Sequence, residues 1–248
     1  MLKNVNNYYL VIYTDSSGLP FLTSYMENPR IVIILKSVEE FWQYRHKENW
    51  IRNHSVNYEL NTKCSWELNM LWSEKIHFVK DTIRRGLFFS SPSVGEAEEP
   101  CWYGWCDIGY FRPNNRNLSS RELEMWPNPS KLENLDASKI HYALVNPYIG
   151  NLIQLIQDKT SQGLPRVPIP PNQISVAGGF FLATKDNVEW WAHTFDAKLD
   201  LYFQNGYLVK DDQMIIIDCV ITENTRFKLH REDDPNYDNW FMFQRILL

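Results

Sequence analysis

No apolar stretch in this sequence approaches the ~20 residues that a membrane-spanning helix needs. The longest are Tyr8 to Tyr13 and Ile31 to Leu35. Basic residues are not in excess either. The 25 Lys and Arg face 30 Asp and Glu for a net charge of −5, and they never gather into a run, which argues against nucleic acid as a partner. Cysteine is scarce, with four in 248 residues. Cys101 and Cys106 stand at an odd separation that sends them to opposite faces of one strand, so neither a disulfide nor a metal pair is expected there. The start, Met1 to Asn7, has no signal-peptide core or cleavage site, and a reducing, cytoplasmic setting is the expectation. Also missing are Gly-x-Gly-x-x-Gly, Gly-x-x-x-x-Gly-Lys-Ser/Thr, Gly-x-Ser-x-Gly and His-Glu-x-x-His. Rossmann oxidoreductases, P-loop NTPases, serine hydrolases and zinc proteases lose their usual signatures. There is no internal repeat. The sequons at Asn53 and Asn117 are of the kind that arises by chance in an Asn- and Ser-rich chain.

What is present describes a globular protein: 44% apolar and 15% aromatic residues, in a chain long enough to bury ~70% of its surface as one domain or a tight pair. Two continuous apolar strands, Tyr8 to Tyr13 and Ile31 to Leu35, suggest a sheet covered on both faces, the mark of an α/β fold. Ser37 to Glu40 fits a capping box opening a helical segment. Leu68, Trp72, Ile76, Val79 and Ile83 recur at helical spacing between Ser65 and Arg85, with Gly86 placed to end the helix. Glu96 to Pro100 reads as an acidic loop, and Trp102 to Cys106 as a strand ending at Asp107. Pro113 to Leu135 reads as a polar excursion. Ile140 to Val145 is a strand, Tyr148 to Asp158 a helix, and Ile174 to Phe181 a strand interrupted by Gly178 and Gly179. Lys185 to Asn205 is a helix stopped by Gly206. Met214 to Ile221, short and rich in β-branched residues, fits either helix or strand, with the balance toward helix. Arg226 to His230 is a short strand, and the aromatic tail from Asp238 is expected to dock on the body.

The chemistry-bearing residues left by these exclusions are carboxylates at the ends of apolar segments: Asp15, Asp107 and the pair Asp211 and Asp212. Ligands of open α/β sheets bind beyond the carboxyl ends of strands, and carboxylates there suit a hard cation such as Mg²⁺ or Mn²⁺. Each acid also has a structural explanation. Asp15 and Asp211 fit turn formers or helix caps. Asp107, flanked by apolar residues on both sides, needs a partner if it is buried, and Arg112 is the nearest. His230 closes a strand-like segment, where a single histidine is usually structural. Trp72 and Trp191 lie on helix core faces and read as packing.

In order along the chain, Tyr13-Thr14-Asp15, Trp72-Ser73-Glu74-Lys75, Trp105-Cys106-Asp107-Ile108-Gly109-Tyr110-Phe111-Arg112, Ala177-Gly178-Gly179-Phe180-Phe181 and Asp211-Asp212-Gln213 resemble the HtrL/YibB-like family. The resemblance spans roughly residues 8 to 230, and the block around Asp107 is its most specific piece. That family is similar to the GT-A glycosyltransferases of bacterial surface-polysaccharide loci and large DNA viruses. The resemblance implies a GT-A-like, Rossmann-like fold: a mixed, mainly parallel sheet flanked by helices, in one domain over 1–248. It implies Asp107 as a ligand of Mn²⁺ or Mg²⁺, with His230 reaching the metal or diphosphate. Asp15, Lys75, Gly178, Gly179 and Gln213 would bind a nucleotide-diphospho-sugar donor, and Asp212 and Asp211 would face the reacting sugar or the acceptor hydroxyl. The motif reads Cys106-Asp107-Ile108 and not a full Asp-x-Asp, so it offers one acid where many GT-A enzymes offer two. Similar proteins begin with one strand more, which implies a shortened chain or one domain of a larger protein.

The expectation is therefore a transferase moving a sugar onto a glycan or protein hydroxyl, in bacterial or virus-infected cytoplasm. In an inverting course Asp212, then Asp211, is the candidate base. In a retaining course these acids would position the sugar. The rival is a carbohydrate-binding or scaffold domain with the same fold and no catalysis. A metal-dependent phosphodiesterase or glycosidase built on the same acids is a weaker third.

Overall fold

The computed structural model describes residues 2–88, 100–111 and 118–248. The acidic stretch 96–99, Arg112 and the Asn117 sequon lie outside them. Among the described residues the chain is a mixed α/β protein with two separate small sheets. β1 (Leu10–Thr14) and β2 (Ile31–Leu35) pair in parallel, Leu10 opposite Ile31. Helices α1 (Lys47–Ser55) and α2 (Trp66–Arg85) follow. β3 (Trp102–Cys106), α3 (Ser120–Met125), α4 (Pro129–Glu133), β4 (Ile140–Ala143) and α5 (Gly150–Gln157) lead to β5 (Phe180–Thr184) and α6 (Lys185–Gln204). The chain continues through α7 (Asp212–Thr222), β6 (Phe227–His230) and α8 (Met242–Ile246). None of the described helices is long and apolar enough to cross a membrane.

The helix boundaries follow from local chemistry. Ser65 caps α2 by accepting from the Leu68 amide, and Gly86 ends it at φ 58°, in the left-handed region that favours glycine. The capping box at Ser37 is formed, with the Ser37 amide donating to Glu40 Oε2 at 2.7 Å, and it opens a single 3₁₀ turn, Val38–Glu40. The ambiguous segment after Asp211 is helical. It packs against α5 and α6, and burial of Met214, Ile215, Ile216 and Ile217 overrides the strand preference of its β-branched residues.

The four-stranded sheet runs β3-β5-β4-β6, and it is less parallel than expected. β5 is antiparallel to both neighbours, and only β4 and β6 pair in parallel. β3, β4 and β6 therefore end at one edge of the sheet, and β5 begins there. Side chains alternate across it. Phe181, Ala183, Ile140 and Tyr142 enter a core with α2, α6 and α7, while Phe180, Leu182 and Ala143 enter a second with Tyr110, Trp126 and Phe243. Coverage on both faces thus belongs to β4 and β5. The pair β1 and β2, expected to be covered, is only half-buried and ends in an exposed Leu35, because a two-stranded sheet has little to cover its second face. The glycines expected to interrupt a strand precede it. Asn53 exchanges two 2.8 Å hydrogen bonds with the Val209 backbone and is buried, so its sequon is a structural element. The C-terminal segment docks as expected, with Phe243 fully buried.

Candidate active site at the sheet edge

The antiparallel pairing of β3 with β5 fixes the site's geometry. With Cys106 opposite Phe180, the residue after β3 meets the residue before β5, and the Asp107 amide donates to the Gly179 carbonyl at 2.9 Å. α7 begins at the same edge with Asp212, and the middle of α2 crosses beneath with Lys75. The result is a cavity of about 460 Å³, within the range of small-molecule pockets.

Lys75 is its centre. Nζ donates to the Gly178 carbonyl at 2.8 Å and lies 3.1 Å from Asp212 Oδ2 and 3.3 Å from Asp107 Oδ1. An ammonium has three protons, and here three oxygens take them. Burial works against its charge, yet Asp212 and then Asp107 outweigh that and raise its pKa. Asp212 is buried, and burial pushes its carboxyl up to about 7, against the pull of Lys75 and with repulsion from Asp211 and Asp107 added. Asp107 is the exposed partner: its side chain is 39% accessible against 6% for Asp212. Trp105 Nε1 also donates to Asp107 Oδ1. The partner role expected of Arg112 is met by Lys75.

Gly178 and Gly179 hold the acids against the backbone. A Cβ on Gly178 would stand 2.9 and 3.0 Å from the two Asp212 carboxylate oxygens, and one on Gly179 would stand 3.3 Å from Asp107 Oδ2. Because Lys75 pins the Asp212 carboxylate, Gly178→Ala is expected to cost about 1–3 kcal/mol. Gly179→Ala, with a less crowded contact, should cost less. Urea unfolding of both variants checks the order.

Gln213 and Asp211 also line the cavity. Asp211 is nine-tenths buried. Its Oδ2 pairs with Lys210 at 3.1 Å, and its Oδ1 has no hydrogen-bond partner among the described residues. The same cavity is lined by Trp72, Tyr110, Asp238, Trp240 and Phe241, of which the last three lie outside the motifs. Trp72 therefore lines the pocket and is not simply core packing, whereas Trp191 is fully buried and donates to Tyr142 Oη at 3.0 Å. Tyr110 ties this lining to the C-terminal segment, its hydroxyl accepting from the Phe243 amide at 3.0 Å and its carbonyl from Gln244 Nε2 at 2.6 Å.

Seven of the residues singled out in the sequence thus converge: Lys75, Asp107, Gly178, Gly179, Asp211, Asp212 and Gln213. Two do not. Asp15 sits in the exposed turn after β1, its Oδ1 accepting from the Ser17 amide and hydroxyl and the Gly18 amide, which is the turn-forming role. His230 lies in the same row of the sheet as Cys106 but three strand steps away, ~14 Å at ordinary strand spacing. Its Nε2 is 2.8 Å from His141 Nδ1, and burial, then His141, pushes its pKa down to about 4.

The metal implied by the resemblance finds a poor fit here. Among the described residues no group of three or more His, Cys, Asp and Glu is placed to hold a metal ion, and Lys75 already draws on Asp107 and Asp212. A dication on Asp107 would have to share that carboxylate with the Lys75 ammonium, 3.3 Å from its Oδ1. No family model matches the chain, and neither the curated proteins nor the solved structures contain a significant match.

Proposed function

We propose that this protein is a nucleotide-diphospho-sugar transferase of GT-A type, acting on a hydroxyl of a glycan or glycoprotein. The observation that carries the proposal is the convergence of Lys75, Asp107, Gly178, Gly179, Asp211, Asp212 and Gln213, from four separate stretches of sequence, around one cavity. The aromatic residues Trp72, Tyr110, Trp240 and Phe241 line the same cavity. Asp212 is the base. With a carboxyl pKa raised to about 7, it can take a proton near neutral pH. The acceptor oxygen attacks the anomeric carbon, its proton passes to Asp212, and the bond from that carbon to the diphosphate oxygen breaks, leaving the electron pair on the diphosphate. This course inverts the anomeric centre.

The test is a panel of nucleotide-sugars offered with mixed glycan and glycoprotein acceptors, followed by nucleoside diphosphate release and by mass gain of the acceptor. Both are expected together for at least one donor. Carbohydrate binding without release for any donor would favour a binding module instead, a reading supported by the aromatic lining of Trp72, Tyr110, Trp240 and Phe241.

A further inference from the structure

We propose that Lys75 is the resident cation of this pocket and that donor binding needs no divalent metal. The proposal rests on the transferase reading for its diphosphate half, while its metal half stands on the geometry alone. Three oxygens from three segments, Asp107 Oδ1, Asp212 Oδ2 and the Gly178 carbonyl, surround Nζ at 2.8–3.3 Å. They form an oxygen cage of the kind hard cations occupy, and an ammonium fills it. The cage is built in: Lys75 comes from the middle of a 20-residue helix, and Gly178 lacks the Cβ that would push Asp212 away. His230, the second ligand the resemblance implies, belongs to a separate pair with His141.

An ammonium with its three protons already placed can receive a phosphate oxygen by exchange. Asp107 is the partner to be exchanged, because its side chain is the solvent-facing one. Lys75 then supplies the positive charge that stabilises the departing diphosphate, and Asp212 stays in place for the acceptor. This arrangement inverts the usual expectation for the aspartate after β3. As a metal ligand Asp107 would be required for nucleotide binding. As a carboxylate competing for Lys75 it weakens that binding.

The experiment measures Mn²⁺ binding by electron paramagnetic resonance, and UDP and GDP binding by calorimetry with chelator or with Mn²⁺, on wild type, Asp107→Asn and Lys75→Ala. Wild type is expected to leave Mn²⁺ free and to bind one nucleoside diphosphate equally with chelator and with Mn²⁺. Asp107→Asn should bind it at least as tightly, and Lys75→Ala about tenfold or more weakly, as fits loss of a charge-assisted contact. Lys75→Ala should also gain Mn²⁺ binding, since it leaves two acids and a carbonyl around an empty position. Nucleotide binding that requires Mn²⁺ in wild type and is lost in Asp107→Asn overturns the proposal. If no nucleotide binds any of the proteins, the transferase reading falls, and Mn²⁺ alone decides the rest: binding to wild type overturns the resident-cation assignment, and its absence there supports it. Should Lys75→Ala fail to fold, the wild-type and Asp107→Asn measurements still decide.

Discussion

Asp212→Asn is expected to reduce sugar transfer by about 10²- to 10⁴-fold, the range general-base catalysis contributes, and at the same time to make the protein more stable above neutral pH. Both effects come from burial of one carboxyl. Its pKa in the folded protein is raised to about 7, against ~3.9 in an unfolded chain, so the folded state holds the proton more tightly. Stability from this group is complete below about pH 4, declines as pH rises through about 7, and stays low above. Asn cannot titrate and resembles the protonated acid in shape. At pH 4 the two proteins should be similar in stability. At pH 8 the variant should be more stable by about 2–4 kcal/mol, at 1.36 kcal/mol per pKa unit. The groups facing Asp212 from neighbouring elements, Lys75, Asp107 and Asp211, are common to both, so the difference isolates this carboxyl. Urea unfolding at the two pH values measures it.

Lys75→Met carries the largest expected loss of stability. Methionine keeps most of the volume and removes the charge, leaving Asp107 and Asp212 without their cation. Breaking a buried pair from one side costs about 3–5 kcal/mol. The cost should be largest at pH 8. It should shrink toward pH 5, where Asp212 is protonated and needs no partner. Lys75→Met combined with Asp212→Asn should lose less at pH 8 than the sum of the single changes, since the buried carboxylate is gone with the ammonium. Equal losses at both pH values would show that Lys75 contributes packing only.

Elements governed by local chemistry were legible in the sequence. α2 and α6 carry apolar periodicity, and each has its glycine just past the end, at Gly86 and Gly206, both at positive φ. The strand ending at Asp107 was marked by an apolar run closed by a single carboxylate. Strand order was not legible, because pairing depends on contacts between distant segments. The antiparallel placement of β5, which brings Gly179 to Asp107, leaves no trace in local patterning. The burial of polar residues on α2 was not legible for a related reason. Asn69, Ser73, Glu74, Lys75 and His77 lie off the apolar stripe that marked the helix, yet all are buried. Each meets a need arising elsewhere: Glu74, for one, accepts from the backbone amides of Trp42 and Gln43 at 2.8 Å.

The site was legible through the motif resemblance and only partly through chemistry. Turn propensity alone described Asp15 correctly, and it described Asp211 as the residue preceding α7. It had nothing to say about Asp212, whose raised pKa follows from burial. The aromatic lining contributed by Trp240 and Phe241 was visible only as an apolar tail expected to dock, since composition does not separate packing from a pocket lining. His230 shows the opposite error. A strand-end histidine suited the resemblance, but its strand lies three steps across the sheet from the one that ends at Asp107.

The most direct measurement is the pH dependence of nucleoside diphosphate release, under conditions where kcat/KM is read, for wild type and Asp212→Asn. Wild type should rise about tenfold per pH unit below a single ionisation near 7 and level off above it. Asp212→Asn should be flat and at least about 100-fold slower. A variant that keeps the wild-type rate and the wild-type profile would contradict the assignment of Asp212 as the base and, with it, the catalytic account of this pocket.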